Sequence, residues 1–491
     1  MKASAKKMLN AAPVIRYLSD PGIFTDNKLD QAMEQLRFSR LLERAGFSKQ
    51  KGDPLLQVMF ALVIWPLLEV RSLSSFCGKF IKAFISGGMN VLYDFQKRQD
   101  HNWRKLRQLT AKQVYQVNEL HLERNKAFVF DDSLKARRGK HVEATSTHFD
   151  HTINRSIKGQ QLLEMGLVSP KGYLPLDSQI YVGDKNRTQK QPVFKSSLLA
   201  VAKDYFCALN QNKNQMVRQM IKRAKRLGIR ANFVLGDAWY GNRGNIEAVI
   251  KARLTAIFRM KNSGLKYRIN GNKYTAEAIY CINRFHCETN KNQPWKTFSI
   301  LAEINLEEDP DKKPKWTPVQ LVFVVPKAGH KKEFALFLCT DTLLSIETIL
   351  ETYSLRWSIE VYFKEVKQHL GLLKEQTGDY ACHYASVHLT AIRYLLLSHM
   401  LITEGDGFLG KIRDKVTKSL QLLSFATLLW ELFKALIFGT LDQLKSLLGD
   451  DILQTIKDAI DGTVTEFLSE ALQIDPDSLL YEERAVKAGT I

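Results

Sequence analysis

The sequence contains few cysteines, and their spacing suggests neither a disulfide framework nor a zinc module. Six cysteines are spread over 491 residues, and no two of them form a Cys-x-x-Cys pair. Cys281, His286 and Cys287 are close enough in sequence to suggest a metal, but no second pair of ligands follows them. We therefore expect structural thiols and a reducing, cytoplasmic setting.

Long apolar runs and nucleotide-binding motifs are also scarce. The most apolar stretch, Pro54–Val70 ("PLLQVMFALVIWPLLEV"), is interrupted by Gln57 and Pro66 and is too short to cross a bilayer. It predicts a buried helix, and we expect no membrane partner and no secretory signal. The chain lacks a Walker phosphate loop, a Gly-x-Ser-x-Gly elbow and a His-Glu-x-x-His motif. These absences argue against ATP as a cofactor and against serine-hydrolase or zinc-protease chemistry.

Acidic residues are fewer than basic residues in this chain. The chain has 71 Lys and Arg against 51 Asp and Glu, a formal net charge of +20. The segment Leu441–Arg484 runs the other way, with eleven acidic and three basic residues, so the rest of the chain is still more basic. A large positive field favours polyanions, most simply DNA or RNA. The acidic tail suggests a docking or dimerisation element.

Apolar periodicity predicts a helical region over residues 1–125. Within it, Lys97–Leu109 ("KRQDHNWRKLRQL") places five basic residues around Trp103. This segment is consistent with a phosphate-contacting helix, or equally with an ordinary exposed basic helix.

The pattern changes after residue 125. A short buried strand, "KAFVFDD", leads into Asp131 and Asp132, and a hairpin follows with "SPKG" as its turn. A helix closed by Gly228 precedes a second apolar strand that ends at Asp237. This order predicts an α/β core over residues 126–262, with acids at the carboxyl ends of strands, where active groups gather in such sheets.

Three further regions complete the predicted domain organisation. Residues 263–332 contain strand-like runs with turn-rich spacers and predict a β-rich insertion rather than a free linker. Residues 333–400 resume the core, with the strand "EFALFLCT" and a helix. Residues 401–491 are leucine-rich and helical, and they are candidates for dimerisation.

The segment Tyr353–Leu372 predicts one helix with an unusual charged stripe. At 100° per residue, Tyr353, Arg356, Glu360 and Lys367 fall within an arc of roughly 60°, beside a buried apolar face. The stripe is roughly 20 Å long at 1.5 Å per residue, which suits a polymer of repeated charge such as nucleic acid. A solvated flank with intrahelical ion pairs is the alternative.

The core therefore offers acids from three separate elements: Asp131 or Asp132, Asp237 and Glu360. Cutting a phosphodiester bond requires an activated water or 3′-hydroxyl and relief of charge on the phosphate, and two Mg²⁺ ions can provide both. Magnesium prefers oxygen ligands, so converging carboxylates could hold the pair. Taken alone, Asp131 or Asp237 is more typical of a cap or turn residue.

These residues resemble a known family. The spacing of Tyr353, Arg356, Glu360 and Lys367 is similar to the Y-(2)-R-(3)-E-(6)-K signature of DDE transposases of bacterial insertion sequences, in the group named after insertion sequence 4. "FVFDDSLKARRGK" resembles the first-aspartate block of that family and "FVLGDAWYG" the second. The resemblance covers roughly residues 126–375 and the flanks only in general character.

The resemblance implies a ribonuclease-H-like core that cleaves DNA at transposon ends and transfers the strand into target DNA. It implies a catalytic, metal-binding triad of Asp131, Asp237 and Glu360 that holds two Mg²⁺ ions, with Mn²⁺ as a substitute. Asp131 is preferred over Asp132 because Ser133 completes the family's Asp-x-Ser/Thr pattern. Asp132 would then be a helper or a turn residue.

The same resemblance implies the DNA contacts. Arg356 and Lys367 would bind phosphates near the cleaved end, and Tyr353 would bond or stack beside the scissile strand. Trp295, in the β-rich insertion, is a candidate for stacking on a flipped base, although a core or hairpin tryptophan is the alternative. The partners would be double-stranded DNA, as terminal inverted repeats and target, and a second copy of the chain in a synaptic homodimer.

Two other segments follow the predicted acids closely in the sequence. Trp239, which follows Asp237, is expected to pack near the site rather than to read DNA, and Lys135–Lys140 ("KARRGK") either binds phosphates or forms a solvated basic turn.

Two alternatives to an active transposase remain open. The protein could be a domesticated or inactive derivative that still grips DNA, or a basic architectural protein whose acids are incidental.

Overall fold

The computed structural model describes most of the chain and shows a mixed α/β protein. The described residues are 28–139, 141–150, 154–182, 191–289, 295–309, 311–327, 334–405, 407–444 and 449–460. They divide into two compact units. One comprises the described residues up to His101, Gln368–Thr377 and those from Ala381 onward; the other comprises the described residues of Asn102–Lys367 with Gly378–Tyr380. The predicted mixed α/β class is confirmed.

The helices alternate with strands only in the middle of the chain. In chain order they are α1 Lys28–Gln35, α2 Phe38–Ala45, α3 Leu55–Ile64, α4 Leu73–Lys79, α5 Met89–Lys97, α6 Trp103–Val117, α7 Ala200–Leu209, α8 Lys213–Arg226, α9 Arg243–Lys251, α10 Ala276–Asn283, α11 Ile346–Ser354, α12 Trp357–Gln368, α13 Tyr380–Glu404, α14 Leu409–Gln443 and α15 450–460. Short 3₁₀ turns cover Trp65–Leu68, Ile81–Ala83, Leu120–Leu122 and Arg284–His286.

The strands form one sheet in the second unit. They are β1 Ala127–Ala136, β2 Ser146–Asp150, β3 Arg155–Ser169, β4 Gly172–Tyr181, β5 Phe233–Gly236, β6 Thr255–Met260, β7 Lys266–Ile269, β8 Asn272–Thr275, β9 Glu288–Thr289, β10 Trp295–Asn305, β11 Trp316–Pro326 and β12 Ala335–Cys339. Their order is β2-β3-β1-β5-β6-β12-β11-β10-β7-β8, with β4 paired to β3 and β9 to β10. Among the strands of the described residues, only the pairs β1–β5 and β5–β6 are parallel.

Strand β1 is longer than the sequence pattern indicates. Ala127–Phe130 are buried, as predicted, but the strand continues through Asp131 and Asp132 to Ala136 because the 15-residue strand β3 pairs with its whole length. The expectation that the strand ends at these acids is therefore wrong, although its pairing with β5 does stop at Val129. The predicted hairpin is confirmed as β3 and β4, joined at Ser169 and Gly172.

The predicted β-rich region 263–332 is largely composed of strands that continue the same sheet. Strand β11 pairs with β12, which in turn pairs with β6, so the strands of the predicted α/β core and the added strands belong to one hydrogen-bonded sheet. The run "LKYRINGNKYTAEAIY" is only partly extended. It forms the hairpin β7–β8 and then helix α10, because the Thr275 side chain caps the helix by accepting from the backbone N–H of Ala278 at 3.3 Å.

The stretch predicted as one helix over Tyr353–Leu372 is interrupted. Helix α11 ends at Ser354 and α12 begins at Trp357. The N–H of Arg356 donates to the carbonyl of Tyr353 at 3.0 Å, and the N–H of Ile359 donates to that of Arg356 at 3.2 Å. These three-residue bonds tighten the chain between the helices, so a single helical wheel does not describe the stripe. The apolar face of α12 is buried as predicted.

Within the basic segment Lys97–Leu109, Lys97 and Lys105 are exposed, but Arg104 and Arg107 contradict both predictions made for it. It spans the end of α5 and the start of α6, and Trp103 is fully buried. Arg104 Nε lies 3.0 Å from Asp177 Oδ1, and Arg107 is buried in an ion pair with Glu164. Helix α6 packs against β4, whose acids neutralise these arginines, so neither side chain is an exposed phosphate contact.

The first unit is built from helices around an apolar interior. Residues Val58–Trp65 of the run Pro54–Val70 are buried, which confirms the predicted buried helix. Arg393, on α13, is fully buried and donates to the carbonyls of Leu62 at 2.6 Å and Val63 at 2.9 Å. The buried guanidinium is thereby satisfied by carbonyls in the last turn of α3.

Helix α13 has the length and composition of a membrane span. Its mean hydropathy reaches 1.3 over an 18-residue window, but 89% of that window is buried inside the protein. A second apolar pair, Leu55–Leu68 with Leu73–Lys79, is bent by 102° at its break. Core helices of soluble proteins have these same properties, so the two features are weak support for a membrane protein.

Candidate active site

Two of the predicted acids are carried by neighbouring parallel strands. Strand β1 pairs with β5 over Ala127–Val129 and Phe233–Leu235. Asp131 and Asp237 each lie two residues beyond the last paired residue of their strand. Because parallel strands in register place such residues at the same edge of a sheet, the two carboxylates face the same region.

The electrostatics of Asp131 reflect this proximity. The pKa of Asp131 is raised to about 7, chiefly by burial and also by the negative charges of Asp237 and Asp132. The backbone N–H of Asp132, which donates to Asp131 Oδ1 at 2.8 Å, and the charge of Arg356 oppose this increase. The negative charge of the Asp131 carboxylate is therefore not fully balanced by nearby positive charge. A bound cation would supply the missing positive charge.

Asp237 is also part of a tight turn. Its Oδ1 accepts hydrogen bonds from the backbone N–H groups of Trp239 at 2.8 Å and Tyr240 at 3.3 Å. Its carbonyl accepts from the N–H groups of Tyr240 and Gly241, both at 3.1 Å. The alternative interpretation of this acid as a turn residue is therefore correct, and the turn also fixes its carboxylate beside β1.

Glu360 is linked to the same region by an ion pair with an arginine. It lies in the first turn of α12 and forms an ion pair with Arg356, four residues earlier. Arg356 Nη1 also lies 3.5 Å from Asp131 Oδ2. The alternative prediction of an ion pair at i, i+4 spacing is thus confirmed, but Arg356 lies in the turn before α12 and its side chain is largely buried, so the pair is neither intrahelical nor on a solvated flank. The same guanidinium links Glu360 to Asp131 across elements that are far apart in sequence.

The carboxylates do not form a complete metal site in this conformation. Among the described residues, no group of three or more His, Cys, Asp or Glu side chains is arranged to hold a metal ion. Glu360 is engaged by Arg356, which leaves Asp131 and Asp237 as the adjacent pair. Two carboxylates, completed by water and substrate phosphate oxygens, are a ligand set typical of Mg²⁺. The pair therefore fits such an ion, and Glu360 would join it only after leaving Arg356.

Tyr353 lies near the acids, whereas Lys367 lies further along α12. The ring of Tyr353 packs edge-on against Phe337, with centroids 4.7 Å apart, and the Arg356 guanidinium lies 6.0 Å from it. Burial raises the pKa of Tyr353, and the charge of Asp237 adds to the increase. Lys367 follows Glu360 by seven residues, about 10 Å along the helix axis, and its Nζ lies 6.0 Å from the Phe363 ring centroid.

The structure does not bring Trp295 to the acids. This half-buried residue begins β10 and pairs with Pro326. In the sheet order, β10 is separated from β5 by β6, β12 and β11. At about 4.8 Å per strand, the lateral separation is about 19 Å. The stacking role of Trp295 stays a prediction. Of the basic run Lys135–Lys140, the last residue lies outside the described residues.

Asp132 occupies a different environment from Asp131. Successive side chains of a strand point to opposite faces. Asp132 accepts from Gln161 Nε2 at 2.7 Å, from Lys213 Nζ at 2.9 Å and from the Tyr240 hydroxyl at 3.3 Å. Asp132 is therefore neutralised within the protein, while Asp131 faces Arg356. Burial, followed by the charges of Asp132, Asp131 and Asp237, raises the pKa of Tyr240 well above its usual value.

Sequence reasoning missed Lys213, Tyr240 and Gln161. Lys213 is the first residue of α8, where Asn212 and Gln215 form a capping box. The Asn-x-x-Gln spacing is a recognisable helix start, so the position of Lys213 at a helix terminus could have been predicted. Its ion pair with Asp132 could not, because the two residues are 81 positions apart in the chain.

Trp239 differs in part from its prediction. It does contact the site, since its ring lies 4.8 Å from that of Tyr240 and 5.0 Å from Lys213 Nζ. However, 42% of its surface is exposed, so it is not a packed residue.

Two family models match parts of the chain that carry the predicted acids. Residues 75–273 match the family model described as a DDE superfamily endonuclease, and residues 196–396 match the one described as a transposase DDE domain. The first span contains Asp131 and Asp237, and the second contains Asp237 and Glu360. The two matches support a DDE-type transposase, an enzyme of the nuclease class.

Two solved structures show loose similarity. The NurA nuclease from Sulfolobus solfataricus matches at 9% identity and a TM-score of 0.22, with 47% of this chain and 72% of that chain covered. The Drosophila P element transposase strand transfer complex matches at 11% identity and a TM-score of 0.22, with coverage of 54% and 57%. No curated protein matches the sequence.

Proposed function

We propose that the protein is a DNA transposase of the insertion sequence 4 group. It would cleave DNA at transposon ends and transfer the strand into target DNA by a cut-and-paste route. The observation that supports the proposal is that Asp131 and Asp237 lie at the same edge of the sheet, and that Glu360 is linked to this edge through Arg356. The three acids come from β1, the turn after β5, and α12, and Arg356 joins the first to the third. The mixed sheet around them supports a ribonuclease-H-like core.

The acids have distinct parts in this proposal. Asp131 and Asp237 would hold Mg²⁺, or Mn²⁺ in its place, and Glu360 would complete the ligand set. When bound, two such ions would activate the attacking water or 3′-hydroxyl and neutralise charge on the phosphate. Asp131 is preferred over Asp132 because Asp132 is already neutralised by Lys213.

The basic and aromatic residues would position the DNA. Arg356, once released from Glu360, could donate charge-assisted hydrogen bonds to a phosphate, and Lys367 could do so about three turns further along the chain. Tyr353 lies beside Asp237 and Arg356, within reach of the strand to be cut. Contacts between these residues and the DNA would hold the scissile phosphate against the carboxylates. The proposal requires no ATP.

The wider setting follows from the same proposal. The partners would be double-stranded terminal inverted repeats and target DNA, and two ends would be joined in a homodimeric synaptic complex. The helical region from residue 401 is the candidate dimer element, although much of the acidic segment Leu441–Arg484 lies outside the described residues. The protein would act in the bacterial cytoplasm, at the nucleoid.

Cleavage of defined DNA ends tests the proposal. Duplexes carrying the inverted repeats that bracket the reading frame in its genome should be nicked and joined in Mg²⁺ or Mn²⁺. Asp131→Asn, Asp237→Asn and Glu360→Gln should each lower the rate by at least about 10³-fold, while duplex affinity, measured by fluorescence anisotropy, stays within about threefold. Glu347→Gln, at an exposed glutamate in the first turn of α11, is the matched control and should cleave normally.

A second function is favoured by one observation. Arg356 occupies the space between Asp131 and Glu360, as it would in a domesticated or inactive protein that only grips DNA. That alternative predicts salt-dependent DNA binding by the wild-type protein with no cleavage under any divalent metal. Cleavage that persists in Glu360→Gln would contradict the assignment of the triad itself.

A further inference from the structure

Trp239 presents an exposed aromatic ring beside the candidate active site. It lies two residues after Asp237 in the turn that follows β5, and 42% of its surface is open to solvent. Most large aromatic side chains near the sheet are buried, for example Phe130 and Tyr240. Because this ring lies beside the acids, its exposed face offers apolar surface to a ligand at the site.

The Trp239 ring is held in place by contacts with Lys213. Lys213 Nζ lies 5.0 Å from the Trp239 ring centroid and 5.5 Å from that of Tyr181. The same ammonium lies 2.9 Å from Asp132 Oδ2, and the lysine side chain is only 13% exposed. A desolvated ammonium between two aromatic rings and a carboxylate has little freedom to move. The cluster of Lys213, Tyr181 and Trp239, the aromatic platform, is therefore preorganised.

The platform is also coupled to the acids. The backbone N–H of Trp239 donates to Asp237 Oδ1 at 2.8 Å, so the ring position depends on the same turn that holds the carboxylate. Lys213 is paired with Asp132 on β1. A ligand that lies on the ring would consequently be positioned relative to the phosphate that the acids face.

We propose that Trp239 is a stacking site for an unpaired nucleobase of the DNA strand at the cleavage site. This inference rests on the proposed function, since it assigns a further contact to the same site. An exposed indole offers a π face on which any base can stack, without sequence preference. Lys213 is neutralised by Asp132, so the platform offers no free charge for a phosphate, and its chemistry selects a base.

The measurement is the affinity of DNA with an unpaired end. A fluorescent duplex with a single-stranded overhang is titrated with wild-type protein, Trp239→Ala and Trp239→Phe in the presence of Ca²⁺ to prevent cleavage. We expect Trp239→Ala to bind about 5- to 150-fold more weakly, which is the range of one stacked base. Trp239→Phe should recover most of the affinity because it retains a π face.

Two comparisons separate stacking from other effects. The dependence of affinity on salt should be the same in Trp239→Ala and the wild type, because stacking releases no counterions. Phe206→Ala removes another aromatic of similar exposure, 41%, on helix α7, and should leave affinity unchanged. Circular dichroism and thermal melting of each variant confirm that it is folded.

Abasic substitutions identify the stacked base. Moving one abasic site along the overhang should reveal a position at which base removal weakens the wild type but does not weaken Trp239→Ala further. The inference is overturned if Trp239→Ala binds like the wild type, or if every abasic position affects both proteins equally. If the wild type itself shows no salt-dependent DNA binding, the proposed function fails as well, and that result is distinguishable from the first two.

Discussion

The guanidinium of Arg356 lies against the carboxylate of Asp131, with Nη1 3.5 Å from Oδ2. The contact joins the turn between α11 and α12 to strand β1. In the proposed function, this positive charge stands where a divalent ion would bind, and Glu360 is held by the same group. In that proposal, binding of a metal ion and a phosphate would displace the arginine as the site assembles.

Removal of Arg356 should alter DNA binding in a defined way. Arg356→Ala and Lys367→Ala each remove a proposed phosphate contact, so the slope of log affinity against log salt should become shallower by about 1 for each variant. The measurement is anisotropy titration of end-containing duplex between low and moderate salt. Lys251→Ala, at an exposed lysine of α9 paired with Glu247, is the control and should keep the wild-type slope. Unchanged slopes in both test variants would remove these residues from the DNA interface.

The raised pKa of Asp131 predicts a pH dependence of stability. Its pKa is about 7 in the folded protein against an ordinary value of 3.8, so between these values the folded state binds more protons than the unfolded state. The free energy of unfolding should therefore decrease as pH rises from about 4 to about 7, by up to about 4 kcal/mol. Urea denaturation in EDTA at several pH values measures this dependence.

Asp131→Asn is the appropriate comparison for that pH dependence. The amide does not titrate, so the variant should lack this part of the decrease and should be more stable than the wild type above pH 7 in metal-free buffer. Parallel stability curves for the two proteins would show that Asp131 keeps an ordinary pKa.

The pair of Lys213 and Asp132 should behave as a structural unit. Lys213→Met leaves Asp132 without its nearest positive charge at a partly buried site, and we expect a loss of about 1–3 kcal/mol of stability. Adding Asp132→Asn should restore part of that loss, because no uncompensated charge remains. Chemical denaturation of the two single variants and the double variant gives the coupling energy. Additive effects would mean that the 2.9 Å contact has no energetic weight.

The buried pair of Arg107 and Glu164 should matter for folding and not for DNA. Both side chains are fully buried, so Arg107→Met should cost about 3–5 kcal/mol by leaving an unpaired carboxylate. The variant Arg107→Met/Glu164→Met should recover much of that stability. In proteins that remain folded, the salt dependence of DNA binding should equal that of the wild type. A shallower slope in the double variant would restore the phosphate-contacting role that the structure contradicts.

Local sequence patterns predicted the elements whose stability depends on neighbours in the chain. The hairpin with the turn "SPKG" and the buried helix within Pro54–Val70 were predicted correctly, because turn geometry and apolar periodicity are short-range properties. The break between α11 and α12 was not predicted. The spacing of apolar residues is the same on either side of Arg356, and the three-residue hydrogen bonds at the turn leave no mark on that pattern.

The candidate site also combines features that are local in the sequence with features that depend on distant contacts. By itself the sequence determined which residue types are available, namely the acids Asp131, Asp237 and Glu360 with the basic stripe around Arg356, since identity and spacing are properties of the chain. Only the tertiary structure decided that Arg107 is buried, that Arg356 stands between two acids, and that Trp239 is exposed. These outcomes depend on charge and packing between residues far apart in sequence, and such contacts exist only once the sheet and helices have assembled.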